Sequence, residues 1–128
     1  MCNIEEFLKE IYKELNVFSN NVFLDYLPLK NATNATLNFN NIYITYTVKN
    51  VEDLRYKDNY ILEIEFISKL ENNIEVKKLC NTVDKSLNFK WLTNSKCKIT
   101  RTNTHKLFFN DIEENKAYAT LIYNVFKY

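Results

Sequence analysis

The chain reads as an α+β domain: a mainly antiparallel sheet of four to five strands with two helices on one face, in the order α-β-β-β-α-β-β. Three observations predict it. The run Tyr60-Ile61-Leu62-Glu63-Ile64-Glu65-Phe66-Ile67 alternates with strand period. After the polar break Glu71-Asn72-Asn73 the period changes, and Val76, Leu79, Cys80, Val83 and Leu87 form one helical stripe. At the end of the chain, Lys116 to Tyr128 carries no Pro and is rich in β-branched and aromatic residues, which suits a strand.

The other elements follow in order. Ile4, Phe7, Leu8, Ile11, Leu15 and Phe18 make an amphipathic helix that ends near Asn16, and Asn3 with Glu6 resembles a capping box. Val22 to Tyr26 is a short strand stopped by Pro28. Leu29 to Asn40 is a long polar loop, a length associated with functional segments. Ile42 to Val48 is a strand, and the charged stretch Lys49 to Asp58 is read as the connection to the Tyr60 strand. After the second helix, Phe89-Lys90-Trp91-Leu92 is an apolar patch that closes the helix onto the sheet. Lys98 to Phe109 is an imperfect strand with Ile99, Arg101, Asn103 and His105 on one side, and Asn110 to Asn115 is a charged turn.

At 128 residues the chain is expected to be a single domain, residues 1–128, with 46% apolar content to fill one core. A net charge of +1 argues against a free-standing nucleic-acid binder, which usually shows a clustered basic excess. The chain has no Gly, which removes phosphate-cradling loops and Gly-flanked nucleophile elbows at once. Its turns must therefore use Asn and Asp in left-handed conformations. Three cysteines, Cys2, Cys80 and Cys97, make neither a disulfide framework nor a metal quartet, and Cys80 belongs to the helix stripe as a core residue. The 20 Asn point to a coding bias, so the acceptor-like triplets at Asn31 and Asn34 are read as chance matches. No apolar leader opens the chain and no apolar run reaches membrane-spanning length, so a soluble cytoplasmic product is expected.

Chemistry is sparse. His105 lacks a fixed orienting carboxylate and reads as structural. Glu63 and Glu65 share a strand face, as a half-exposed sheet also predicts. No enzyme activity, cofactor or metal is expected. The sheet is more informative, because two helices cover one face only. The other face still carries Ile61 and Ile67 around Glu63 and Glu65, with Tyr118, Ile122, Phe126 and Tyr128 on the last strand. Such surplus apolar surface points to contact with another chain.

The aromatic-aliphatic strand Tyr43-Ile44-Thr45-Tyr46, the strand-to-helix block Tyr60 to Ile67 and Ile74 to Leu87, and the closing strand Ala117-Tyr118-Ala119-Thr120-Leu121-Ile122-Tyr123 together give an order that resembles the tail terminator (tail completion) proteins of long-tailed bacteriophages and related head–tail joining proteins. The resemblance implies a structural virion protein of the tail or neck, assembled in the host cytoplasm. It implies a homo-oligomeric, six-fold ring on the head-proximal end of the tail tube that stops polymerisation and offers the docking surface for the head. The implied partners are copies of the chain, the tail tube protein and connector or neck proteins, with DNA only passing through the lumen and no membrane. Asp53, Arg55 and Lys57 are then candidate partner contacts, and Ile61, Glu63, Glu65 and Ile67 candidate subunit contacts. A head–tail connector, or a small nucleic-acid-binding phage protein, is the alternative.

Overall fold

A computed structural model describes residues 4–25, 41–53 and 58–127. It contains helices α1 (Ile4–Asn16) and α2 (Asn73–Leu87) and strands β1 (Val22–Leu24), β2 (Tyr43–Asp53), β3 (Asp58–Lys69), β4 (Trp91–Leu92), β5 (Cys97–Asp111) and β6 (Lys116–Lys127). One 3₁₀ turn, Leu70–Asn72, joins β3 to α2. The α+β reading holds, and the element order matches it except for one further short strand, β4, which makes the sheet six-stranded rather than four- to five-stranded. The strands form one sheet in the order β1-β2-β3-β6-β5-β4, antiparallel throughout except for β1 beside β2.

Alternation decides what is buried. Leu62, Ile64 and Phe66 of β3 lie opposite Tyr123, Leu121 and Ala119 of β6, and all six are buried. Ile44 and Tyr46 of β2 and Ile99 of β5 extend this inner face. Phe7, Ile11 and Leu15 of α1 and Val76, Cys80, Val83 and Leu87 of α2 pack on it, so both helices cover the same side. α2 lies chiefly over β6, where Ala117 and Ala119 allow a close approach. α1 reaches both edges of the sheet. It lines a cavity with Leu24 of β1, and the Glu10 carboxylate accepts the Ser95 N–H (2.6 Å) in the turn after β4.

Three expectations change. The charged stretch after Val48 is mostly ladder: β2 continues to Asp53 and β3 begins at Asp58, with a register shift between Asn50 and Glu52. The strand alternation of residues 42–48 simply continues, and charged side chains did not end the pairing. Phe89 to Leu92 is in part strand β4, paired with β5 at Cys97 and Lys98. The third change concerns β5. Arg101 faces Tyr123 and Lys106 faces Leu121, so five steps along β5 span two along β6. This bulge shifts the phase by an odd number of residues. The residues sharing the inner face with Ile99 and Arg101 are therefore Lys106, Phe108 and Asn110, and His105 falls on the other side. The Asn3 cap, Cys2, Tyr26, Pro28, the Leu29 to Asn40 loop and Tyr128 lie outside the described residues.

The bulge brings Arg101 and Lys106 to one buried carboxylate. Asp84 of α2 is 1% exposed. Arg101 donates to both its oxygens (Nη2 to Oδ2 2.6 Å, Nε to Oδ1 3.3 Å), and the Tyr123 hydroxyl donates to Oδ1 (2.6 Å). Lys106 Nζ stands 3.7 Å away. Burial alone would raise the Asp84 pKa. Hydrogen bonds from Arg101 and Tyr123 and the charges of Arg101 and Lys106 outweigh it, and hold the carboxyl below its ordinary range. Burial, reinforced by the bond to Asp84, pushes the Tyr123 phenol far upward.

Without Gly, four of the described residues take positive φ: Asp25 (69°), Phe89 (63°), Lys96 (57°) and Asn115 (57°). Asp and Asn tolerate this conformation, whereas in Phe89 and Lys96 the Cβ crowds the following carbonyl at a cost of roughly 1–2 kcal/mol each.

Two outcomes are expected. Asp84→Asn leaves two cations facing a neutral amide and lowers stability at pH 7 by roughly 3 kcal/mol, read from urea unfolding. Because the folded carboxyl titrates below its unfolded value, this contribution is present above the carboxylate range and is lost as pH falls through it, so the variant and the native chain converge at low pH. Lys96→Gly, at an exposed turn, relieves the left-handed strain and raises stability by about 1 kcal/mol, measured the same way.

Candidate assembly surface

The outer face of the sheet carries no helix among the described residues, and its side chains are set by register. One row crosses four strands: Tyr43 of β2 faces Ile67 of β3, Ile67 faces Tyr118 of β6, and Tyr118 faces Phe109 of β5. Phe23 of β1 extends it, with its ring stacked on Tyr43 at 6.2 Å. Phe109 and Tyr118 lie 6.0 Å apart at the other end. Such cross-strand pairs stabilise a sheet by ~0.2–1 kcal/mol each. The row is buried at its centre, where Tyr43 and Ile67 form a small second core, and opens outward to Phe109, which is 62% exposed.

The next row, Thr45, Glu65, Thr120 and Leu107, is polar until it reaches β5. Beyond it Glu63 lies between Thr47 and Ile122, and Ile61 between Lys49 and Asn124. Lys49 Nζ reaches Glu63 Oε1 at 3.3 Å. No ion pair to Glu65 occurs among the described residues. Burial and then the neighbouring Glu63 charge raise its pKa.

The structure thus places Ile61, Glu63, Glu65 and Ile67 on one face, as the alternation of β3 requires. Ile67 is nevertheless buried. It is 6% exposed, because Tyr43 and Tyr118 close over it from both sides. Part of the surplus apolar surface folds on itself, and Ile67 supports the face from beneath. Asp53 ends β2 at the opposite end of the sheet, paired with Asp58. Arg55 and Lys57 lie outside the described residues.

Sequence reasoning gave the strand, turn and strand of the β5–β6 hairpin but passed over its exposed apolar run. Leu107, Phe108 and Phe109 are 48%, 44% and 62% exposed, and Ile112 at the turn is more so. The signal was three consecutive apolar residues directly before a charged turn: adjacent strand residues point to opposite faces, so a run of three must expose at least one.

No group of three or more potential metal-ligating side chains occurs among the described residues. The Cys80 thiol is buried and pushed up to about 12, chiefly by burial, which keeps it protonated and inert. None of the described helices is long and apolar enough to cross a membrane.

No protein-family model and no curated protein matches the chain. Among solved structures, a chain from the virion of a native gene transfer agent (GTA) particle is similar, with a TM-score of 0.61 at 11% identity, over 91% of this chain and 90% of that one. At that identity the likeness is one of fold.

Glu65 gives a test of the face's electrostatics. Its raised pKa means that its charged form is disfavoured in the folded state, so Glu65→Gln raises the melting temperature at neutral pH. The gain disappears once the native carboxyl is protonated, at pH values below its folded pKa. Thermal scans across pH check both halves.

Proposed function

We propose that the chain is a structural protein of a phage-like virion, and more narrowly a tail terminator: a subunit of a ring that caps the head-proximal end of the tail tube, stops its polymerisation and presents a surface to the head. The observation that carries this reading is the match of fold over nine-tenths of both chains to a chain of a gene transfer agent virion. The outer face supports it. Two helices cover one side of the sheet, while Ile61, Ile122 and Phe126 remain only partly covered on the other. A closed ring needs a heterologous interface made from two different patches of each subunit, and this face supplies one. Glu63 and Glu65 at its centre favour a neighbour that brings cations or hydrogen-bond donors. The proposed partners are the tail tube protein, connector or neck proteins and further copies of the chain. Binding and assembly are the whole of the proposed activity, with no catalysis and no cofactor.

The test is assembly. Tube protein polymerised with the native chain is expected to give tubes of limited length bearing a ring at one end in negative-stain images. Ile61→Asp buries a charge in the proposed subunit contact and should abolish the rings and release tube length, with the circular dichroism spectrum unchanged. Capping by Ile61→Asp at native strength would remove this face from the interface. Tubes that grow unchecked while the native chain binds the neck proteins would favour the connector reading.

A further inference from the structure

Beyond its short pairing with β4 at Cys97 and Lys98, β5 has no strand partner on its outer edge among the described residues: Lys106 to Asp111 pair with β6 alone. A free edge presents a row of outward N–H and C=O groups and templates another strand. Edges are usually guarded by a bulge or by a charged side chain. Here the bulge lies upstream of this stretch, between Arg101 and Lys106. The cation of this stretch itself, Lys106, is turned to the helix side, where its ammonium donates to Asn81 Oδ1 and stands 3.7 Å from Asp84. Lys77 of α2 lies over the Phe108 ring on that same side, 5.6 Å from its centroid, rather than along the strand edge. The three residues that follow, Leu107, Phe108 and Phe109, are exposed and apolar.

We propose that this edge pairs, antiparallel, with the same edge of a second copy of the chain about a two-fold axis at Phe108. Residues opposite each other in an antiparallel pair share a sheet face, which restricts the registers. Centred on Phe108, the pairing sets Phe108 against its own copy, Leu107 against Phe109, Lys106 against Asn110 and His105 against Asp111. Every apolar residue from 107 to 109 meets an apolar one, and the imidazole meets a carboxylate. Centred on Leu107 instead, Lys106 meets Phe108 and Phe109 meets His105. Centred on Phe109, Leu107 meets Asp111 and Phe108 meets Asn110. The self-complementary register also continues the row Tyr43, Ile67, Tyr118, Phe109 onto Leu107 of the second copy, so the row's exposed end is covered. This contact is isologous and closes at two copies. It uses a different surface from the ring interface and does not rest on that reading.

The experiment uses the full chain in light scattering after size exclusion. The native protein is expected at twice the mass of one chain. Phe108→Lys and Phe108→Glu each place like charges on the axis and halve that mass, with the circular dichroism spectrum retained. An equimolar mixture of the two restores it, because opposite charges then meet across the axis. Amide exchange within residues 106–110 of the native chain slows as its concentration rises, a readout that needs no variant. A native protein that stays monomeric overturns the proposal, as does a Phe108→Lys protein that keeps the native mass or a mixture that stays monomeric. A larger native assembly unaffected by Phe108→Lys also overturns it while leaving the ring reading intact.

Discussion

The Asp84 carboxylate, nearly inaccessible beneath α2, governs more of this molecule than any other polar group. A buried charge is tolerable only when paired and hydrogen-bonded. Arg101, Tyr123 and Lys106 meet that demand. Tyr123 comes from a regular strand, but Arg101 and Lys106 are five apart on β5, and strict alternation would send them to opposite faces. The bulge reverses the alternation between them. One electrostatic requirement and one backbone irregularity are thus the same feature, and together they fix α2 against β5 and β6.

Consequences follow down β5. Past the bulge Phe108 moves to the helix side, where Lys77 of α2 lies 5.6 Å from its ring centroid, while Leu107 and Phe109 turn to the open face. Lys106, a residue suited to guarding a strand edge, is occupied with Asp84 and Asn81. The stabilisation of the core therefore leaves the end of β5 apolar and, among the described residues, paired on one side only. The same face shows the opposite solution at its centre, where Tyr43 and Tyr118 close over Ile67. An open sheet face buries apolar side chains by packing neighbours across strands, and this fails only at an edge, where one neighbour is missing.

The face as a whole divides into zones with different chemistry. The row through Ile67 is apolar and largely self-satisfied. The adjacent rows carry Glu65 and Glu63, one with a raised pKa and one paired with Lys49. Ile61 and Ile122 lie beyond them. Interfaces between proteins commonly combine apolar contact with charges that specify the partner.

Residue periodicity alone determined the helices α1 and α2, the strands β2, β3 and β6, and the side of each that is buried. Hydrophobic alternation is a local property, and Leu62, Ile64 and Phe66 need no distant partner to declare their face. It also determined that helices cover only one side of the sheet and that Glu63 and Glu65 lie on the other. The absence of Gly foretold that Asn and Asp would supply left-handed turns, as Asn115 does; it did not foretell Asp25, which was read as part of a strand, nor Phe89 and Lys96. Three matters were left to the tertiary structure. The bulge in β5 arises from cross-strand register and from Asp84, which is far away in sequence, so no local pattern announced it. The burial of Ile67 depends on which strands flank β3, and strand order is not written in periodicity. The extension of β2 and β3 through charged residues required the two strands to find each other, because paired backbone groups, rather than side-chain polarity, decide where a ladder ends.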